Sequence, residues 1–126
     1  MGLRAAFMMN TVVGLVFGVG FSLVPGLVLS IFGIKYDNGT IYVGQVLGAT
    51  LIALSTVTWF AKESSDWKLV RAILAGLLIF EVIGLVATVL AVLGGVTNAL
   101  GWFIVLVLLT QALPRVYFLF VKPVGE

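Results

Sequence analysis

Polar residues interrupt the chain's apolar pattern in only three places. The first runs Gly33-Ile-Lys-Tyr-Asp-Asn-Gly-Thr40, with Asn38-Gly39 as a turn signal. The second, Ala61-Lys-Glu-Ser-Ser-Asp-Trp-Lys68, is the one stretch rich in charge. The third is Leu93-Gly-Gly-Val-Thr-Asn98. They leave four apolar segments, about 5–24, 41–61, 68–93 and 98–120. At about 1.5 Å per residue, each is long enough to cross ~30 Å of hydrocarbon. In that medium the backbone must satisfy its own polar groups, and segments this long and this few suit helices rather than a closed barrel. The pattern predicts an all-α polytopic membrane protein, a bundle of four transmembrane helices forming one domain over residues 1–126.

Two local questions stay open at this level. Met-Gly-Leu-Arg4 followed by an apolar run suits a signal peptide, but no small-x-small cleavage site follows, so the first segment reads as a retained span. Pro25 lacks an N–H and is tolerated at a first helical position. Residues 25–33 therefore form either a short interfacial helix starting at the proline and stopping at Gly33, or a kinked extension of the first span.

Composition strengthens the membrane reading. Of 126 residues, 62% are hydrophobic and 10% charged, too few polar groups to cover a water-soluble globule. Mean hydropathy is +1.27. Without Cys or His there is no disulfide, thiolate, imidazole base or usual zinc or haem site. Met1, Met8 and Met9 make a poor copper site, because adjacent residues point different ways on a helix. No cofactor and no metal are expected.

Charge sets the expected orientation. Four spans put both termini on the side of the middle loop, which receives Arg4, Lys62, Lys68, Arg71, Arg115 and Lys122 against Lys35 alone on the other. This positive-inside bias places both termini in the cytoplasm of a prokaryotic cell, with the chain in its inner membrane. Trp59, Trp67 and Tyr117 would belt the inner interface, and Tyr36, Tyr42 and Trp102 the outer one. No basic cluster interleaved with aromatics points to nucleic acid.

Close helix packing in lipid needs small residues, since apolar burial does not distinguish a helix from an acyl chain. The first span carries Ala6, Asn10, Gly14, Gly18 and Ser22 at four-residue spacing. The second has Gly44, Gly48 and Ser55 on one face, and the third Ala72, Gly76, Ala87 and Ala91. The fourth is bulky. Helices one to three are therefore expected to pack tightly, with the fourth more peripheral. Such a stripe suits either an intrachain contact or a partner protomer.

Glu81 is the one acidic residue deep in a span, 13 residues after Lys68 and 12 before Leu93. A charge at that depth costs about 2.5–3.5 kcal/mol on insertion scales, so Glu81 should face protein and either carry a proton or have a partner. Counting depth brings Gln111, Asn10 and Ser55 or Thr56 into the same layer, and Arg115 can reach it with its long side chain. Pro114 leaves the Thr110 carbonyl without its helical donor, a gap Gln111 or Arg115 could fill. Gly84 and Thr88 follow Glu81 on its own face and let a neighbour approach. Two readings of this layer stay open: a hydrogen-bonded cluster that fixes packing, or a site for a proton, an ion or a small amphiphile.

The residues Asn10…Phe17-Gly-x-Gly-Phe21…Pro25-Gly26…Phe32-Gly33 and Gly95-Val-x-Asn98-Ala-Leu-Gly-Trp102 give the chain a resemblance to small four-helix prokaryotic integral membrane proteins, distantly DoxX-like in layout. The resemblance implies a four-helix fold and no particular activity. Small multidrug exporters fit badly, because their key Glu lies in the first span, where this chain has Asn10. Fluoride channels carry a Phe- and Thr-rich break in the third span that is missing here.

Paired carboxylates, a Ser-His-Asp set and a phosphate-cradling loop are all missing from the sequence, and the loops are too short to host a soluble substrate. The expected function is therefore non-enzymatic: an accessory or structural subunit that associates with itself or with a larger membrane complex. The alternative is a small transporter or a lipid- or quinone-binding protein working through the layer around Glu81.

Overall fold

A computed structural model describes residues 2–121. The chain folds as α1 (Leu3–Leu23), α2 (Pro25–Ile31), α3 (Asn38–Ala61), α4 (Trp67–Leu93) and α5 (Gly101–Val116), and α5 continues as a π-helical turn over Tyr117–Val121. Among the described residues there is no strand. Four of these elements are long and apolar enough to cross a membrane, with the α5 span running to Val121. The chain is a multi-pass, all-α membrane protein.

Pro25 starts a separate helix. Val24 leaves the helical region (φ −133°, ψ 56°) although its N–H still reaches Gly20 O at 2.9 Å, and Pro25 then supplies the first residue of α2. Gly33, at φ +69°, turns the chain out of α2 while Ile34 N–H closes onto Leu29 O at 2.9 Å.

Two boundaries differ from the sequence expectation. Asn38-Gly39 is not a turn but the first turn of α3, because the Asp37 carboxylate caps the helix, accepting from Thr40 N–H at 2.9 Å and from its hydroxyl at 3.0 Å. At the other junction, residues 98–100 stay outside α5. Asn98 is tied down there, donating from Nδ2 to Ile31 O at 2.9 Å and from its backbone N–H to Phe32 O at 2.8 Å. Gly33 makes this clasp close: a Cβ there would lie 3.1 Å from the Asn98 side chain.

The cap carries a pH prediction. The Thr40 amide and hydroxyl hold the Asp37 carboxyl below the usual carboxylate range. Its contribution is fully present above its ordinary value near ~4, and is lost as pH falls through the lower folded-state value. Protection against hydrogen exchange in the first turn of α3, taken relative to unstructured chain at each pH, should therefore fall in acid below that point, and Asp37→Asn should blunt the pH dependence. An acid profile unchanged by the substitution would remove the cap from the account.

The bundle consists of two antiparallel pairs. In the first, Arg4 meets Glu63, Asn10 meets Thr58, Gly14 meets Ser55, and Gly18 meets Gly48 and Ile52 in steady register. Glycine is required at this seam: a Cβ on Gly18 would sit 2.8 Å from Ile52 Cγ1, and one on Gly48 only 2.7 Å from Gly18 O. Ser22 lies against Gly48, and Gly44 lies in ordinary contact with Phe21 and Pro25. In the second pair, α4 packs along α5, with Gly84 admitting Leu108 at 3.5 Å.

This pairing corrects the expected packing. The third span lies against the fourth far more than against the second, so the fourth is not peripheral. Helices four and five share a short connection, which forces them side by side. Gly76 belongs to no interface: a Cβ there meets nothing within 4 Å, and Ala72 is likewise exposed. Four-residue spacing of small residues marks a helix face without saying which face the fold buries.

At the end of the bundle carrying the charged middle loop, the two pairs meet in an apolar plug of Ala6, Phe7, Ala61, Val70, Leu74, Leu77 and Phe118. Between this plug and the Asn98 clasp at the other end the pairs leave room, which positions the site described next.

Candidate functional site

Arg115 lies in the last helical turn of α5, yet it is only 2% exposed. Its guanidinium makes an ion pair through Nη1 with Glu81 Oε1 on α4. Nη1 also donates to Gln111 O at 3.1 Å, and Nη2 donates to Asn10 Oδ1 on α1. Gln111 O, rather than the Thr110 carbonyl freed by Pro114, is thus the acceptor this arginine serves. Because an arginine stays protonated, the pair keeps two opposite charges together in the interior and sums to zero there.

The network continues across the first helix pair. Asn10 Nδ2 donates to Thr58 Oγ1 at 3.2 Å, and Thr58 and Thr11 share a hydroxyl–hydroxyl bond of 2.8 Å. Each hydroxyl carries one proton, so one threonine donates to the other and that other donates to a carbonyl about one turn back, Thr58 to Ser55 O or Thr11 to Phe7 O, each at 3.0 Å. One polar chain therefore runs Glu81–Arg115–Asn10–Thr58–Thr11 and ties all four long helices together.

Of the residues expected in this layer, Glu81, Gln111, Arg115, Asn10 and Ser55 come together, all buried. Thr56 does not: it is exposed, with its hydroxyl donating to Ile52 O at 2.9 Å in its own helix. Successive helix residues point about 100° apart, so Ser55 and Thr56 cannot share a face. Depth counting missed Thr11 and Thr58, both buried within the network. Thr58 was findable, since it follows Ser55 by three residues and shares its face. Thr11 lies about 100° round the helix from the small-residue stripe through Asn10, and its position in the sequence carries no comparable signal.

Directly beside the network lies a cavity of about 320 Å³ between the two helix pairs. That volume is at the lower end of ordinary ligand pockets. Its wall is almost wholly apolar, with Val13, Phe17, Leu51, Phe80, Ile104 and Leu108 among its residues. Four polar residues of the layer, Asn10, Ser55, Glu81 and Gln111, also border it.

Hydrogen-bond accounting singles out this boundary. Among the described residues, four buried side-chain polar atoms have no partner: Ser55 Oγ, Glu81 Oε2, Gln111 Oε1 and Trp67 Nε1. The first three belong to residues lining the cavity, whereas Trp67 lies at the plug end. An orphaned buried polar atom costs roughly 1–3 kcal/mol, more for a charged group; of these three, Glu81 Oε2 and Gln111 Oε1 call for donors, while the Ser55 hydroxyl can donate or accept. Among the described residues there is no other cluster of this kind.

No protein-family model matches the chain, and neither does any curated protein or solved structure.

Proposed function

We propose that this is a non-enzymatic membrane protein that holds a small amphiphile between its two helix pairs, with the head at the Glu81 layer and the tail along the apolar wall. The single observation that carries the reading is a cavity of about 320 Å³ bordered by residues whose buried polar atoms have no partner. A polar layer serving only to fix packing would satisfy its own acceptors and leave no space beside them. Lipid or quinone binding, or passage of such a molecule, is the functional class in view.

The accessory-subunit reading drew on the small stripes, and most of that stripe is occupied within the chain: Gly14, Gly18, Ser22 and Gly48 meet intrachain neighbours. What favours association is the outward face at Ala72 and Gly76, over which an added Cβ at Gly76 meets nothing. Crosslinking between single cysteines introduced at that face would test for a homo-oligomer or a larger membrane complex.

Orientation belongs to the same proposal. Arg115, paired with Glu81, leaves the count of loop charges, and Lys122 lies outside the described residues. Arg4, Lys62, Lys68 and Arg71 still oppose Lys35 alone, which supports both termini facing the cytoplasm of a prokaryotic inner membrane.

The test is photolabelling in bilayers with a long-chain alcohol bearing a diazirine in its tail. Label should concentrate on cavity-lining positions such as Phe17, Leu51 and Leu108, and Ala87→Phe, which puts a ring into the cavity, should abolish that fraction. Label spread evenly over outward residues such as Val16 and Ile83, unaffected by the substitution, would overturn the reading.

A further inference from the structure

The geometry points to the class of head group: we infer that the cavity selects a neutral amphiphile whose head donates hydrogen bonds, a long-chain alcohol or diol. The inference rests on the cavity being an amphiphile site and asks what its polar end can recognise.

The argument is one of inventory. Glu81 Oε2 can only accept, because Arg115 pairs with the other oxygen of that carboxylate. Gln111 Oε1 is a second acceptor without a partner, and the Ser55 hydroxyl a third polar atom in the same position. All three side chains are at least nine-tenths buried, with exposures of 2%, 7% and 1%. A head group that only accepts, such as a ketone, an ether or an oxidised quinone, leaves Glu81 Oε2 as unsatisfied as before. A hydroxyl supplies the missing donor, and a second hydroxyl serves Gln111 as well.

Charge narrows the class further. The Glu81–Arg115 pair is already neutral, so an ammonium head would leave one uncompensated positive charge in the interior beside a guanidinium. A carboxylate head would place a second negative group against Glu81. A hydroxyl adds no charge. The plug of Phe7, Leu74 and Leu77 closes the loop end, so the head stops at the polar layer and the tail extends the other way.

Native mass spectrometry of the full chain, released from micelles doped at equal mole fraction with n-decanol, decyl methyl ether or decylammonium, decides the matter. Retention of the alcohol should exceed that of the ether and the ammonium by about tenfold, the worth of one hydrogen bond to a charged acceptor. With decane-1,2-diol as a fourth probe, Gln111→Met, with Ser55→Ala as a second deletion at the same end, should erase the preference of the diol over decanol while leaving ether retention unchanged. Equal retention of alcohol and ether would overturn the donor rule yet keep the amphiphile site. Preferred ammonium would overturn the charge argument, as would a diol preference untouched in both variants overturn the role of this polar end. Retention of none of the four would mean that water alone fills the cavity, and would remove the amphiphile reading together with the inference.

Discussion

Glu81→Leu should lower the stability of the bundle by about 3–5 kcal/mol, the usual cost of stranding one member of a buried ion pair, and adding Arg115→Met to the same chain should recover most of that loss. The carboxylate is the only anionic partner of Arg115 among the described residues, and the guanidinium cannot shed its charge to adapt. Its other contacts, to Asn10 Oδ1 and Gln111 O, are neutral acceptors that satisfy hydrogen bonds without cancelling the charge. Replacing both partners by apolar side chains of similar volume removes the stranded charge altogether, and such exchanges are often neutral or stabilising. Two smaller losses persist in the double variant, because Asn10 Oδ1 and Gln111 O each give up a donor. Unfolding in mixed micelles, followed by circular dichroism across the double-mutant cycle, measures the coupling. A double variant as unstable as the sum of the two singles would show that the charges do not depend on one another.

The second large effect is expected at Gly48. A single methyl in Gly48→Ala would lie 2.7 Å from both the Gly18 carbonyl oxygen and the Ser22 amide nitrogen, so backbone, not a flexible side chain, stands in its way. Overpacking of this kind costs about 1–3 kcal/mol where side chains can adjust, and rigid backbone should take it to the top of that range or beyond. Relief requires α1 and α3 to separate, which would also stretch the Asn10–Thr58 bond more than two turns away. Gly76→Ala provides the control, since that position faces open space and alanine is the better helix former by about 1 kcal/mol. The same micelle titration should show Gly48→Ala strongly destabilised and Gly76→Ala unchanged or slightly firmer. Equal responses would mean that the seam between α1 and α3 is not held by close backbone approach.

The contrast between these two glycines shows how far composition and spacing carry. Hydrophobic run length alone was enough to place four spans, because lipid admits no other economical way to satisfy twenty successive peptide groups. Depth along each span likewise brought Glu81, Gln111, Arg115, Asn10 and Ser55 to one level, since the rise of a helix is constant. Pro25 marked a break but left a new helix and a kinked extension of the first span both open, and the structure makes it the first residue of α2. Rotation was the weak link. A helix carries no mark of which side meets which neighbour, so Gly76 read like Gly48, and Thr56 read like Ser55.

Pairing of the spans came from contacts between distant parts of the chain: Gly48 accepts α1 because the backbones of both helices are bare at the same height, while α4 and α5 mesh through bulky side chains around Gly84. The cavity is a consequence of that division. It exists because two tightly joined pairs meet at a plug and again at the Asn98 clasp and leave room between, and no property of any single segment encodes a space between four. Periodicity and length are local quantities, readable residue by residue. Whether a carboxylate finds an arginine 34 positions away, and whether its second oxygen is left without a partner, depends on how whole helices settle against each other.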